Sequence, residues 1–157
     1  MPVAVVLRLD GGAEAALARL GKRLVYPPHI TLLRAEDAAE AALARAMPTV
    51  EAAPVDLVFA SFGLFPGPPV FLFLAPVVTP ALLALHMALA AAVPDRVLHP
   101  HVRPGAWVPH ATLAEGAVDL DAALARWTGP IAARGLALEL VRFPPPVVLA
   151  RRDLPAG

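Results

Sequence analysis

Two tripeptides carry residue types suited to acid–base chemistry. They are His29-Ile30-Thr31 and His110-Ala111-Thr112, each preceded by proline and followed by leucine. On a β-strand, residues i and i+2 point to the same side. His29 then projects with Thr31, and His110 with Thr112, while Ile30 and Ala111 turn the other way. Imidazole titrates near neutral pH, so one ring can act as base while the other acts as acid. The threonine hydroxyls can donate hydrogen bonds to nonbridging phosphate oxygens. In-line displacement at phosphorus needs this set: a group that deprotonates the attacker, one that protonates the leaving oxygen, and donors for the developing charge. A single His-x-Thr carries little weight. Two copies in matching contexts are hard to explain by packing, because burying imidazole costs free energy unless it is hydrogen-bonded.

Other residues invite functional readings beside structural ones. The loop over 94–108 holds Arg96, His99, His101 and Arg103. Long loops in compact domains are often functional, so Arg103 is a candidate phosphate contact. The same segment also reads as a solvated proline-rich loop. Trp107, three residues before His110, is a candidate to stack on a base, as are Phe62 and Phe65, although aromatics are equally good core material. Phe71 and Phe73 read as core, His86 as a structural histidine in an apolar helix, and Arg151 and Arg152 as a solvated end. Zinc binding by His99, His101 and a motif histidine lacks carboxylate or cysteine ligands at a recognisable spacing. The expectation is therefore no metal and no cofactor.

The chain contains the strands these residues require. Residues 3–9 are β-branched and apolar and stop at Asp10-Gly11-Gly12, which predicts a buried strand. Residues 13–22 read as a helix stopped at Gly21, 27–33 as a strand, and 36–47 as an alanine-rich helix closed by Pro48. Strands are predicted over 55–62 and 70–74, with a turn over 63–69 between them. Thr79 as N-cap and Pro80 at the first helical position open a helix over 79–93. Beyond the long loop come a strand over 110–114, a helix over 119–128 stopped by Gly129-Pro130, and strands over 136–142 and 147–151.

The order is β-α-β-α-β followed by β-α-β-α-β-β, a repeat over approximately 3–63 and 70–142 with a final strand at 147–152. His29 precedes Val55 by 26 positions, and His110 precedes Leu136 by 26. A repeat of this kind predicts two similar lobes related by an approximate two-fold axis. The 157 residues then form one bilobal domain. Its fold class is α+β: two lobes of mainly antiparallel sheet with outer helices and a central cleft.

Composition narrows the classes further. The absence of cysteine excludes disulfides, thiolate nucleophiles and cysteine-based zinc sites. Thirteen basic and thirteen acidic residues give zero formal net charge. This argues against an extended nucleic-acid-coating surface and leaves room for a small nucleotide or one end of an RNA. No apolar stretch reaches the roughly 18 uncharged residues of a membrane span, and 3–7 lacks the flanks of a signal peptide. The expectation is a cytoplasmic monomer with no membrane partner.

The paired motifs, their separation, the strand–helix order and the Phe62–Pro66 segment Phe-Gly-Leu-Phe-Pro resemble the 2H phosphoesterase superfamily. Within it the chain is most similar to the LigT-like group of 2'-5' RNA ligase and RNA 2',3'-cyclic phosphodiesterase proteins. The resemblance implies a catalytic set of His29, Thr31, His110 and Thr112 in a cleft between two lobes. It implies metal-independent cleavage of cyclic phosphates or 2'-5' linkages. The sequence departs from the group after its second motif, where many members carry a basic residue and this chain has Glu115. After the first motif it has Arg34, which strand alternation sets apart from the side of Thr31. Glu115 and the zero net charge keep a second expectation alive, a non-catalytic module that binds nucleotides or RNA ends in the same cleft.

Overall fold

The computed structural model describes residues 1–22 and 24–155. Seven strands and four α-helices follow in the order β1 (Val3–Leu9), α1 (Gly11–Leu20), β2 (His29–Ala35), α2 (Glu40–Ala46), β3 (Val55–Phe65), β4 (Phe71–Pro76), α3 (Pro80–Ala90), β5 (Ala111–Glu115), α4 (Leu120–Ala125), β6 (Ile131–Arg142) and β7 (Val147–Asp153). All strand pairs are antiparallel, so the α+β class read from sequence is the class of the fold. Local chemistry starts the helices. The side chains of Asp10, Thr79 and Asp119 accept hydrogen bonds from the backbone N–H groups of Ala13, Leu82 and Ala122, each satisfying a donor that the first helical turn leaves free.

The strands form one sheet in the order β2-β1-β6-β3-β4-β5, with β7 on the remaining edge of β6. The third strand of each half crosses into the other half: β6 pairs with β1, and β3 pairs with β4. The two crossing strands pair with each other, Val55 opposite Gly135 through Phe59 opposite Ile131. Exchanging β1 with β4, β2 with β5 and β3 with β6 reproduces every pairing except that of the added strand β7, which is the topology of a pseudo-two-fold with its axis at the β3–β6 pair.

The crossing explains one difference from the sequence reading. β6 begins at Ile131 rather than at 136, because 131–135 is the stretch that pairs with β3. The equal 26-residue offsets therefore do not mark equivalent strand starts. Similarly, β3 runs on to Phe65 through residues read as a turn. α4 is also shorter than expected.

One face of the sheet is covered by helices. Val3, Val5 and Leu7 of β1, Ile30, Leu32 and Leu33 of β2, and Leu72 and Leu74 of β4 join Leu17, Leu43, Leu82 and Leu89 from the helices in a single buried cluster. At roughly 1.5–3 kcal/mol per buried large apolar side chain, this face supplies the main driving force for folding. The other face carries Ala4, Val6 and Val141 with Tyr26 and Phe143, together with both histidine motifs.

Candidate active site

β2 and β5 lie at the two ends of the strand order, yet they come together in space. Their link is the 94–108 loop. Leu98 bridges to Ala35, the N–H of His99 donates to the carbonyl of Arg34 at 2.8 Å, and the Trp107 indole donates to the carbonyl of Thr31 at 3.0 Å. The loop delivers the chain from the far end of β2 back to His110. Both histidine motifs thereby reach one region. His110 is among the charged groups that act on His29.

The two imidazoles are held in the same way. Nδ1 of His29 lies 2.8 Å from the carbonyl of Pro27, and Nδ1 of His110 lies 2.7 Å from the carbonyl of Val108. A carbonyl can only accept, so each Nδ1 carries a hydrogen and donates. In the neutral ring Nε2 is then the free acceptor, and in the charged ring it is a donor. Each histidine therefore offers one nitrogen for proton exchange and has the other committed to backbone. All four motif side chains are half-buried, with Ile30, Leu32, Ala111 and Leu113 fully buried between and beside them. Among the described residues neither threonine hydroxyl has a protein partner, so both can donate to a ligand.

Burial makes both rings harder to protonate. His29 is pushed down to about 4, chiefly by desolvation and then by the nearby His110 and Arg8, while the Pro27 carbonyl and Glu139 oppose the shift. His110 is lowered by desolvation, and the Val108 carbonyl opposes this.

The surroundings of the two rings differ in chemistry. Around His29 the chain builds a charged network. Arg8, the cross-strand partner of His29, reaches Glu14 at 2.7 Å and Glu139 at 2.9 Å. Glu139 also binds Arg151 at 2.7 Å and accepts from the Tyr26 hydroxyl. The Tyr26 ring meets His29 edge-on at 4.9 Å between centroids. Only 4% of the Glu139 side chain is exposed, and burial alone would raise its carboxyl. The hydrogen bonds from Tyr26 and Arg151 and the charge of Arg8 hold it below its ordinary value instead.

Around His110 the wall is aromatic instead of charged. Phe65 packs edge-on at 4.9 Å and Phe73 lies at 5.1 Å. Thr31 faces Val6 across β2–β1, and Thr112 faces Phe73 across β5–β4. Val6 in turn pairs with Glu139, and Phe73 with Gly63. Gly63 is thus the counterpart of Glu139. A Cβ there would collide with the Phe73 ring, so glycine makes the room that Phe73 fills.

His29, Thr31, His110 and Thr112 are brought together. Trp107 is packed as a strap: its indole N–H is spent on Thr31, and its ring stacks on His86 at 4.1 Å. His86 is buried and donates to Val102, as a structural histidine would. Arg103 is half-buried, with Nε donating to the carbonyl of Leu98. Phe62 packs on Trp127 away from the histidines, leaving Phe65 as the aromatic of that segment beside the site. Phe73 is buried but lies outside the main cluster, against His110. Arg151 is a network member rather than a solvated end. Glu139 and Arg8 were not singled out by the sequence reading. The available signal was a carboxylate between Leu138 and Leu140 in the otherwise apolar run 136–141, where a charge is kept only if it is paired.

Among the described residues no group of three or more His, Asp or Glu side chains is placed to hold a metal ion, and no helix is long and apolar enough to cross a membrane. Two surface hollows of about 690 and 560 Å³, one lined by Asp37, Glu40 and Arg142 and the other by Arg19, Arg126 and Trp127, contain none of the motif residues.

The sequence profile of the 2'-5' RNA ligase superfamily matches residues 8–143. The chain belongs to this superfamily. Among curated proteins no sequence matches it. Solved structures share the fold at low identity. The apo form of Escherichia coli LigT is 16% identical with a TM-score of 0.65, covering 98% of both chains. A crystal structure described as a phosphoesterase is 17% identical with a TM-score of 0.67, covering 97% of both. E. coli LigT complexed with 3'-AMP is 18% identical with a TM-score of 0.63, covering 98% of this chain and 99% of that one.

Proposed function

We propose that this chain is a metal-independent phosphoesterase. It hydrolyses a 2',3'-cyclic phosphate or a related 2'-5' phosphodiester of a nucleotide or RNA end. The observation that carries the reading is the matched tethering of His29 and His110, each with Nδ1 bound to a backbone carbonyl and Nε2 free. His29 has its protonation pushed down to about 4 and rests neutral, so it takes the role of base. Its Nε2 removes a proton from water as the water oxygen bonds to phosphorus. His110 Nε2 delivers a proton to the ribose oxygen as the phosphorus–oxygen bond to it breaks. Thr31 and Thr112 donate to the nonbridging oxygens, where charge develops. With a 5'-hydroxyl in place of water attacking a 2',3'-cyclic phosphate, the same proton exchanges form a 2'-5' linkage as the bond from phosphorus to the ribose 3' oxygen breaks. The superfamily match and a LigT solved with 3'-AMP support a nucleotide as the ligand.

The test is turnover of 2',3'-cyclic nucleotides by the full chain in EDTA, beside His29→Ala and His110→Ala. The reading expects turnover by the wild type and its loss in both variants. Nucleotide binding with no turnover would replace the enzyme with a binding module, and activity abolished by EDTA would replace it with a metal-dependent hydrolase.

A further inference from the structure

The two strands that carry the histidines share an irregularity. In β2, Thr31 is opposite Val6 while Leu33 is opposite Val5, so Leu32 is an extra residue. In β5, Thr112 is opposite Phe73 while Ala114 is opposite Leu72, so Leu113 is extra. A bulge of this kind lets two residues oppose one and shifts the alternation of side chains beyond it. Its consequence is the side on which the next polar residue lands. Strict alternation puts Arg34 opposite to Thr31. With the bulge, Leu32 and Leu33 both enter the core, and Arg34 sits across from Ala4, on the helix-free face with Thr31 and His29. By the same step Glu115 sits across from Phe71, on the face of Thr112 and His110.

The two halves therefore place a cation and an anion at equivalent positions, both exposed. The cations nearest the histidines are already neutralised: Arg8 is bound to Glu14 and Glu139, and Arg151 to Glu139 and Asp153. Arg34 differs. Among the described residues it has no carboxylate partner, and its guanidinium lies over the Phe143 ring at 5.2 Å. The loop joined to its strand adds Arg103, which spends only Nε on a backbone carbonyl, and His99, whose N–H binds the Arg34 carbonyl. Arg34, His101 and Arg103 together lower the proton affinity of His99, which burial lowers most, with Glu36 the acid opposing them. From Thr31, which donates at the reacting phosphate, Arg34 is about 7–10 Å along the strand, counting roughly 3.3 Å per residue.

We infer that Arg34, flanked by Arg103, is a subsite for a second phosphate of the substrate. A guanidinium suits this role because its planar fork can donate two hydrogen bonds to one phosphate. The inference rests on the phosphoesterase reading only in calling the group between the histidines the first phosphate.

Two substrates that differ by one phosphate test it: 2',3'-cyclic AMP and the same nucleotide with a 5'-phosphate. The wild type is expected to prefer the second in kcat/KM. In Arg34→Ala the ratio of the two should fall by about 10–100-fold, the factor for one hydrogen-bonded charge contact of roughly 1.5–3 kcal/mol, carried mainly by KM. Arg34→Lys should restore part of it. An unchanged ratio in Arg34→Ala, or equal losses on both substrates, overturns the subsite. Equilibrium binding of adenosine 3',5'-bisphosphate against 3'-AMP forms an arm that needs no turnover. There the bisphosphate's advantage should vanish in Arg34→Ala. If the wild type turns over neither substrate, the phosphoesterase reading fails and this binding arm alone decides on Arg34.

Discussion

Replacing Glu139 by glutamine tests whether the charged network beside His29 is built into the fold. Its carboxylate holds Arg8 at 2.9 Å and Arg151 at 2.7 Å and accepts from the Tyr26 hydroxyl, with 4% of the side chain exposed. Glutamine keeps the size and one acceptor oxygen but turns an amide donor toward guanidinium donors. Breaking a buried charge pair from one side costs about 3–5 kcal/mol. Arg8 still has Glu14 at 2.7 Å and Arg151 still has Asp153 at 2.9 Å, so the low end applies, about 3 kcal/mol. For a chain of this length that is a fall in Tm of about 6–12 °C.

The internal comparison is Glu40→Gln. Glu40 also faces an arginine closely, Arg142 at 2.6 Å, but the two side chains are 31% and 37% exposed. Such pairs contribute at most about 1 kcal/mol, so the shift should stay under about 4 °C. The effect of Glu139 also carries a pH signature. Its carboxyl is held below its ordinary value of 4.5. The stabilisation is therefore fully present above that value and is lost as pH falls through the lower folded one. Thermal unfolding by circular dichroism from pH 7 to pH 3.5 reads both. A Glu139→Gln shift no larger than that of Glu40→Gln, or a gap from wild type that stays constant down to pH 3.5, would refute the reasoning.

Two further outcomes follow from the geometry of the site. The pH profile of kcat/KM should be a bell displaced to acid: His29 is pushed down to about 4 and His110 lies below 6.5. The base then stays unprotonated down to about pH 4, and the acid loses its proton before pH 6.5. A rate that continues to rise above pH 7 would contradict this assignment. Gly63→Ala should force its new methyl into the Phe73 ring, cost about 1–3 kcal/mol by overpacking, and lower kcat through the displaced His110. Wild-type Tm and kcat together would show that the aromatic wall does not position that ring.

Much of the site was legible in the sequence because its grammar is local. A histidine and threonine two apart on a strand share a side whatever the strand pairs with, and the proline before and leucine after each motif set both in one pattern. The core residues were equally readable: Val3, Val5, Leu7, Ile30 and Leu32 are apolar wherever the helices cover them. Trp107 shows where that grammar stops. Its type and its distance from His110 suggested a ligand contact, but its indole hydrogen bond and its stacking partner come from Thr31 and His86, remote in sequence.

The tandem His-x-Thr motifs, the α+β order and the repeat were thus determined by sequence alone. The tertiary structure decided which residues join the motifs. Glu139 reaches Tyr26, Arg8 and Arg151 only because β6 crosses between β1 and β7, a choice of partner strands that no local pattern encodes. Arg34 and Glu115 face the histidines only because Leu32 and Leu113 are bulged. Side-chain alternation has a period of two along an isolated strand, but where that count slips is set by the strand it pairs with. At Leu113 the extra residue also meets the end of α1: its carbonyl accepts from the Lys22 N–H at 3.0 Å, with Gly21 leaving no side chain in the way.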